Sequence, residues 1–221
     1  VLDSGAVGFA MSLHFMITGH LPPVQDQHTP EDILKVLEQY KEQFQEPTEL
    51  PPKRECDHAI PLQENSTPPN VRPYRVPHLQ KNEMEQQIKI LLARNIIQHS
   101  MSPYASPAIL GRKKGGTWRL CIDYRKLNAQ TIKNKFPIPV IEDLLDERHG
   151  AKVFSKLDLR SGYHQIRMAK EDIPKTAFKT HHGHFQFKVV PFGLATCPGT
   201  FQYVMNYIFG PHNRKFMLIF M

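Results

Sequence analysis

Apolar and polar positions over residues 1–27 show only weak periodicity, and the mildly apolar stretch Ala6–Thr18 is broken by Ser12 and His14. A helix start is legible at Thr29-Pro30-Glu31-Asp32. Thr can cap, Pro suits the first helical position, and acids suit the first turn. Ile33, Leu34, Leu37, Tyr40 and Phe44 then recur at helical spacing up to Pro47. From Pro47 to Pro77, eight of 31 residues are proline. That density excludes a helix or a central strand and predicts an extended strap.

The pattern beyond the strap is denser. Met84, Ile88, Leu91, Leu92 and Ile96 form one stripe of a helix over 81–98. Ser106–Lys114 and Thr117–Tyr124 read as strands joined by the turn Lys114-Gly115-Gly116-Thr117. Pro139–Gly150 reads as a short helix closed by Gly150. Val153–Leu159 is an apolar strand carrying Asp158 at its end, followed by the tight turn Arg160-Ser161-Gly162-Tyr163. Further strands are expected over His164–Met168, Thr176–Thr180 and His184–Val190, with His181-His182-Gly183 as a surface turn. A helix over Cys197–Phe209 and a strand beginning at Lys215 complete the pattern. Helices mixed with antiparallel hairpins predict an α+β fold. There is no internal repeat.

Charge sharpens the division. The 221 residues carry 28 Lys and Arg against 21 Asp and Glu, a formal charge of +7. Residues 1–50 hold two basic and eight acidic residues, a balance of −6, so residues 51–221 hold 26 and 13, a balance of +13. The sign changes at the strap. This gives an acidic lead over 1–50 with one helix, a Pro-rich strap over 51–77 and a basic body over 78–221. A basic body points to a polyanion, nucleic acid before a membrane surface; a merely solvated basic surface is the competing reading. Cys56, Cys121 and Cys197 are far apart and odd in number, which excludes a disulfide framework and fits a reducing compartment. No apolar run reaches the ~18 residues of a membrane span. Ala6–Thr18 lacks the basic flank of a signal peptide. Val1 at one end and the apolar run Phe216–Met221 at the other suggest a piece of a longer chain.

Asp158 is the leading candidate for chemistry. An ionised carboxylate at the end of a buried strand needs a cation, an Arg or a metal, although an acid there can also simply cap the next turn. The turn that follows offers successive N–H groups and a Gly, which suits phosphate. Tyr163 could form a planar wall beside it. Lys113, Lys114 and Arg119 cluster on the hairpin and could reach phosphates as mobile charges and as a bidentate fork. Hard Mg²⁺ is held by one or two carboxylates plus substrate phosphates, and nucleotidyl transfer uses two such ions. Trp118 and Phe192 also have a plain reading as core aromatics. There is no P-loop, dinucleotide fingerprint or nucleophile elbow.

Four blocks carry a specific resemblance. They are Trp118-Arg119-Leu120-Cys121-Ile122-Asp123-Tyr124-Arg125-Lys126-Leu127-Asn128; Phe154 through Ile166, reading FSKLDLRSGYHQI; Asp172-Ile173-Pro174-Lys175-Thr176-Ala177-Phe178; and Pro191-Phe192-Gly193-Leu194. In order and spacing they resemble the reverse transcriptase of gypsy-like LTR retrotransposons, over roughly residues 53–221. The resemblance implies fingers and a partial palm, and RNA-directed DNA polymerase activity in the full enzyme. It implies Asp158 as the first metal-binding aspartate, with the Leu159 carbonyl beside it, and two Mg²⁺ ions (Mn²⁺ as an alternative). It implies Arg119 with Lys113 or Lys114 on the incoming triphosphate, and Leu159, Arg160, Ser161 and Gly162 as backbone contacts to phosphates. Tyr163 would pack under the sugar and exclude a ribose 2′-OH. Phe192 and Gly193 would line the nucleotide pocket, with Arg125, Pro191 and Gln165 against template or primer. The implied partners are RNA template, DNA primer, RNA–DNA hybrid, deoxynucleoside triphosphates and the rest of a polyprotein (thumb, RNase H, integrase), with no membrane. The implied location is a cytoplasmic virus-like particle or the nucleus.

One departure stands against these matches. The family needs two further aspartates in [Tyr/Phe]-x-Asp-Asp; Phe220 and Met221 match its first two positions and the chain given stops there. One carboxylate is a poor site for two ions, so the expectation is a polypeptide inactive as it stands. The alternative is a catalytically dead, nucleic-acid-binding remnant. Leu2-Asp3-Ser4-Gly5-Ala6 also resembles the active-site loop of retroviral aspartic proteases, but a helix cap arrives at Thr29, leaving no room for the strands of that fold.

Overall fold

The computed structural model describes residues 11–17, 31–44, 49–112, 116–137, 139, 153–159 and 161–219. The chain divides into two compact units: Val1–Thr48 with Val140–Ser161, and Glu49–Pro139 with Gly162–Met221.

In the first unit, β1 (Met11–Ile17) pairs antiparallel with β5 (Val153–Leu159), from Met11 opposite Leu159 to Ile17 opposite Val153. Ser12 lies opposite Asp158 in this register. β1 is a strand that the weak periodicity over residues 1–27 did not predict. Ser12 and His14 interrupt a mildly apolar run, but they alternate with Met11, Leu13 and Phe15 at the period of two that a strand requires. Helix α1 (Glu31–Gln39) opens on Glu31 and Asp32, acids that complement its positive end. None of its residues is buried. Its expected cap at Thr29-Pro30 lies outside the described residues, as does the helix expected over 140–150.

The second unit is built on a five-stranded sheet in the order β2-β7-β6-β3-β4. The strands are β2 (Ile97–His99), β3 (Ser106–Arg112), β4 (Trp118–Ile122), β6 (Phe178–Lys179) and β7 (His184–Phe187). Only β3 and β6 run parallel; the other neighbours are antiparallel. Helix α2 (His78–Ala93) buries Met84 and Ile88, one turn apart on one face. It ends before the expected residue 98, because Asn95 adopts a left-handed conformation (φ 57°) and Ile97 turns into the core as β2. Helix α3 (Arg125–Gln130) anchors on buried Leu127, and α4 (Cys197–Phe209) buries Cys197, Gly199, Gln202, Val204 and Met205. Phe178 sits at the centre of the core, 5.8 Å from the Phe185 ring and 5.2 Å from the Phe187 ring.

Three expected strands are corrected. Residues 164–168 hold a 3-10 turn over Gly162–Gln165 and then single bridges, Arg167 to Val189 and Met168 to His58. Pro174 sits in a second 3-10 turn, Ile173–Thr176, so the strand expected from Thr176 is only Phe178–Lys179. After Lys215 the chain folds back: Arg214 is left-handed (φ 62°) and its N–H donates to the Met217 carbonyl at 2.9 Å. Residues 215–219 are therefore not a strand.

The strap contains neither helix nor extended ladder and touches the sheet unit through single bridges such as Leu62 to Thr131 and Asn70 to Ala105. Buried polar groups hold it down. His58, 1% exposed, places Nδ1 2.8 Å from Thr200 Oγ1 and Nε2 3.2 Å from Thr196 Oγ1. Burial holds its pKa down to about 4, against a smaller opposing pull from Asp172. Asp172 accepts the Ile60 N–H at 2.8 Å and pairs with Lys175 at 2.5 Å; Lys175 also donates to the Ile60 carbonyl at 2.7 Å. No described helix is long and apolar enough to cross a membrane.

Candidate nucleotide and nucleic-acid site

The site in the second unit starts from one backbone position. Gly193 has φ +101°, and a Cβ there would lie 3.1 Å from the Ile122 carbonyl oxygen and 3.5 Å from Tyr124 Cδ2. Only glycine fits such a conformation at such an approach. Asn128, at the end of the first quoted block, closes the turn. Its Nδ2 donates to the Gly193 carbonyl at 2.8 Å and its Oδ1 accepts the Ala195 N–H at 2.9 Å. Tyr124 is fully buried and donates to the Thr176 carbonyl at 2.7 Å, so the first, third and fourth blocks meet at one place.

Phe192 projects from this braced turn, half-buried. The Arg119 guanidinium lies 5.4 Å from its ring centroid, within cation–π range. Tyr163 meets Phe192 edge-on, centroids 5.1 Å apart at 70°, and meets Phe201 at 5.5 Å and 84°. These are favourable edge-to-face geometries. The Tyr163 phenol is pushed above its ordinary pKa, chiefly by burial, so it stays a neutral wall. His164 packs 5.5 Å from Phe192 and 6.1 Å from Phe187. Burial first, and Arg94 second, hold it to a pKa of about 4, so it too is neutral. The outcome is a cation and two aromatic faces held together on a braced turn, a combination suited to phosphate beside a sugar and base.

A second cluster lies at the end of β4. Asp123 takes Arg125 in a two-pronged pair, Nε to Oδ1 at 2.9 Å and Nη2 to Oδ2 at 2.7 Å. Tyr74 of the strap donates its hydroxyl to Asp123 Oδ2 at 2.9 Å. The Arg125 hydrogen bond, ahead of the smaller Tyr74 one, holds the Asp123 carboxyl well below the usual range. The Arg125 side chain remains 84% exposed.

Of the residues singled out from sequence, Arg119, Tyr163, Phe192 and Gly193 are brought together. Arg125 stands at the surface, while Gln165 and Pro191 are buried. Asp158, Leu159 and Ser161 belong to the first unit; Ser161 is exposed with φ 49°. Lys113, Lys114, Arg160, Phe220, Met221 and Asp3-Ser4-Gly5 lie outside the described residues. Trp118 is half-buried and outside the buried core, so its plain reading as a core aromatic is not met. The His181-His182 turn is at the surface, His181 bonding Glu85 at 2.8 Å. Among the described residues no group of three or more His, Cys, Asp or Glu is placed to hold a metal. Sequence reading missed Asn128, Asp123 and Tyr74. An acid two residues before Arg125 is a detectable short-range pair, whereas nothing local marks Tyr74.

An α+β module, rich in antiparallel pairs, thus sets a cation beside two aromatic rings on a braced turn. Residues 111–221, half of the chain, match the family described as reverse transcriptase (RNA-dependent DNA polymerase), and the chain belongs to that family. It is 42% identical over 142 residues to the retrovirus-related Pol polyprotein from transposon 412 of Drosophila melanogaster, covering 62% of this chain and 12% of that protein. It is 37% identical over 169 residues to the corresponding polyprotein from transposon 297 of the same organism, covering 74% and 16%. The Tf2-3 polyprotein of Schizosaccharomyces pombe is 38% identical over 159 residues, covering 72% and 12%. The chain thus spans about an eighth to a sixth of the length of these relatives. Two solved structures share its fold. The foamy viral protease-reverse transcriptase in complex with ds DNA has a TM-score of 0.70 at 20% identity, over 86% of this chain and 33% of that one. The same viral protein with an RNA/DNA hybrid has 0.65 at 17%, over 86% and 25%.

Proposed function

We propose that this chain forms the fingers and part of the palm of an LTR-retrotransposon reverse transcriptase. The polymerase it belongs to copies RNA and DNA templates from deoxynucleoside triphosphates. The observation that carries this reading is the Arg119–Phe192–Tyr163 array on the braced Gly193 turn, assembled from three of the four sequence blocks that resemble the family. Reverse transcriptases work with divalent ions. The Asp158 carboxylate and the Leu159 carbonyl are oxygen donors adjacent in sequence; they would contribute to holding one Mg²⁺ and are too few for the two ions the family uses. When bound, the ions would activate the primer 3′-OH and hold the leaving oxygens.

The chain's own residues supply binding and orientation. Arg119 offers a fixed fork to the triphosphate and offsets charge that builds up in the transition state. Tyr163, neutral and packed on Phe192 and Phe201, lies flat under the sugar, where a 2′-OH would have no room. Arg125 faces a backbone phosphate of template or primer. The partners of this reading are a primed RNA template, the RNA–DNA hybrid and the remaining polyprotein segments.

Trp118, the sole tryptophan, adjoins Arg119 and reports on binding. Titration of the chain with a primed RNA template and then with Mg²⁺ and dTTP is expected to give a saturable change in its emission. Arg119→Ala should weaken dTTP at least about tenfold, the scale of a lost charge-assisted bond, and leave hybrid affinity within about twofold. Hybrid binding with no Arg119-dependent dTTP binding would overturn the polymerase reading and leave a nucleic-acid-binding remnant.

A further inference from the structure

β4 is the edge strand of its sheet, yet its outer side is not left open. Gln87, from the middle of α2, lies along it. Its Nε2 donates to the Trp118 carbonyl at 3.1 Å, and its Oε1 accepts the Leu120 N–H at 2.8 Å. In an extended strand, alternate residues turn their peptide groups to opposite sides. Trp118 and Leu120 face outward here, and Arg119 between them turns its N–H and carbonyl toward Gly111 of β3. One side-chain amide thus takes the place of a neighbouring strand for two of the groups that β3 does not use, the Trp118 carbonyl and the Leu120 N–H.

The orientation of this amide is determined by its surroundings. The second hydrogen on Nε2 goes to Glu83 Oε1 at 2.6 Å, one turn earlier on the same helix. Glu83 and the Trp118 carbonyl can only accept, and the Leu120 N–H can only donate, so a flipped amide would break all three bonds. Glutamine is the side chain that satisfies this set. A glutamate would face Glu83 with like charge and could not donate to Trp118.

We infer that Gln87 is a positioning residue for nucleotide binding. It braces the strand segment that carries Arg119 from the side opposite β3, and so holds the guanidinium over Phe192. The inference rests on the reading of Arg119 as the triphosphate-binding cation. Held by β3 alone, the segment could twist outward as edge strands do, and a charged fork loses much of its advantage once its position varies.

A double-substitution cycle on the full chain tests this, with Mg²⁺·dTTP affinity and the Trp118 emission maximum as readouts. Gln87→Ala should weaken dTTP by about five- to tenfold, from the loss of two bonds of ordinary strength, and should shift Trp118 emission. In the Arg119→Ala background the same change should weaken dTTP no further, because coupled residues are not additive. Gln87→Glu, nearly isosteric, should reproduce Gln87→Ala and serves if the alanine variant misfolds. Affinity within about twofold of the parent in both Gln87 variants, or an equal loss in both Arg119 backgrounds, would overturn the inference while leaving the role of Arg119 intact. No loss from Arg119→Ala would overturn that role, and this inference with it.

Discussion

Two acid–base clusters in the second unit use the same chemistry for opposite ends. Asp172 is buried and Lys175 half-buried, with side chains 10% and 22% exposed, and both bond the strap backbone at Ile60. Asp123 is nearly as enclosed, at 11%, yet its partner Arg125 is 84% exposed and bonds nothing beyond Asp123 and Tyr74 among the described residues. In the first cluster both charges are spent inside the fold. In the second, the acid serves to aim a cation outward. An aimed, exposed cation is what a polyanion reads, whereas an enclosed pair holds chain segments together.

The widest separation between the two is expected in stability. Asp172→Asn keeps the shape but leaves the Lys175 ammonium enclosed without its counter-charge. The expected loss is about 2–3 kcal/mol, below the full scale for breaking a buried pair because Lys175 is half-buried, measured by urea denaturation. A loss below about 1 kcal/mol, typical of exposed pairs, would erase the distinction.

Similar in size is a pH effect on the same anchor. His58 is held at about 4 in the folded chain, below the ordinary histidine value of 6.5. The unfolded chain therefore binds the proton first as pH falls. Stability is fully present above about 6.5, declines through the interval and levels off below about 4, by on the order of 3 kcal/mol in all. His164 titrates over the same interval. His58→Gln should therefore lessen the slope of stability against pH between 6.5 and 4 without abolishing it. An unchanged slope would mean that His58 does not stay enclosed against Thr196 and Thr200.

A smaller effect is expected at the turn that brings the blocks together. Gly193→Ala places a Cβ 3.1 Å from the Ile122 carbonyl on a backbone with φ +101°. A cost of about 1–3 kcal/mol follows from such strain. Since Phe192 sits on this turn, Mg²⁺·dTTP affinity should fall by more than hybrid affinity. Equal losses of both would show that the turn serves only the fold.

The residue blocks singled out Arg119, Tyr163, Phe192 and Gly193, which the structure brings together, and each block's contribution is local. Arg119 lies on the strand expected over Thr117–Tyr124 and Gly193 in the quoted block Pro191–Leu194, and α4 fills the helix expected over Cys197–Phe209. What escaped was long-range or two-sided. Gln87 and Trp118 are 31 residues apart and Tyr74 and Asp123 are 49 apart, so no window along the chain pairs them. β1 escaped because its polar residues were weighed as interruptions rather than as one face of a strand. The expected strands at 164–168 and 176–180 shortened because Pro174 and the turn at Gly162 take the backbone out of the ladder, which apolar content alone does not show.

The finest test of the comparison lies at the exposed end of the second cluster. Arg125→Gln should cost no more than about 1 kcal/mol in urea, the scale of an exposed pair, because the guanidinium itself is 84% exposed. It should weaken an RNA–DNA hybrid only a few-fold near 0.1 M salt. Its signature is the slope of log affinity against log salt, which should become shallower by about 0.9, one phosphate's worth of released counterions. Tyr74→Phe removes one bond to Asp123 and leaves the two-pronged Arg125 pair in place. It should therefore change affinity by less than about twofold, and the slope not at all. A loss of more than about 1 kcal/mol from Arg125→Gln, with an unchanged salt slope, would reassign this cluster to the role of Asp172 and Lys175.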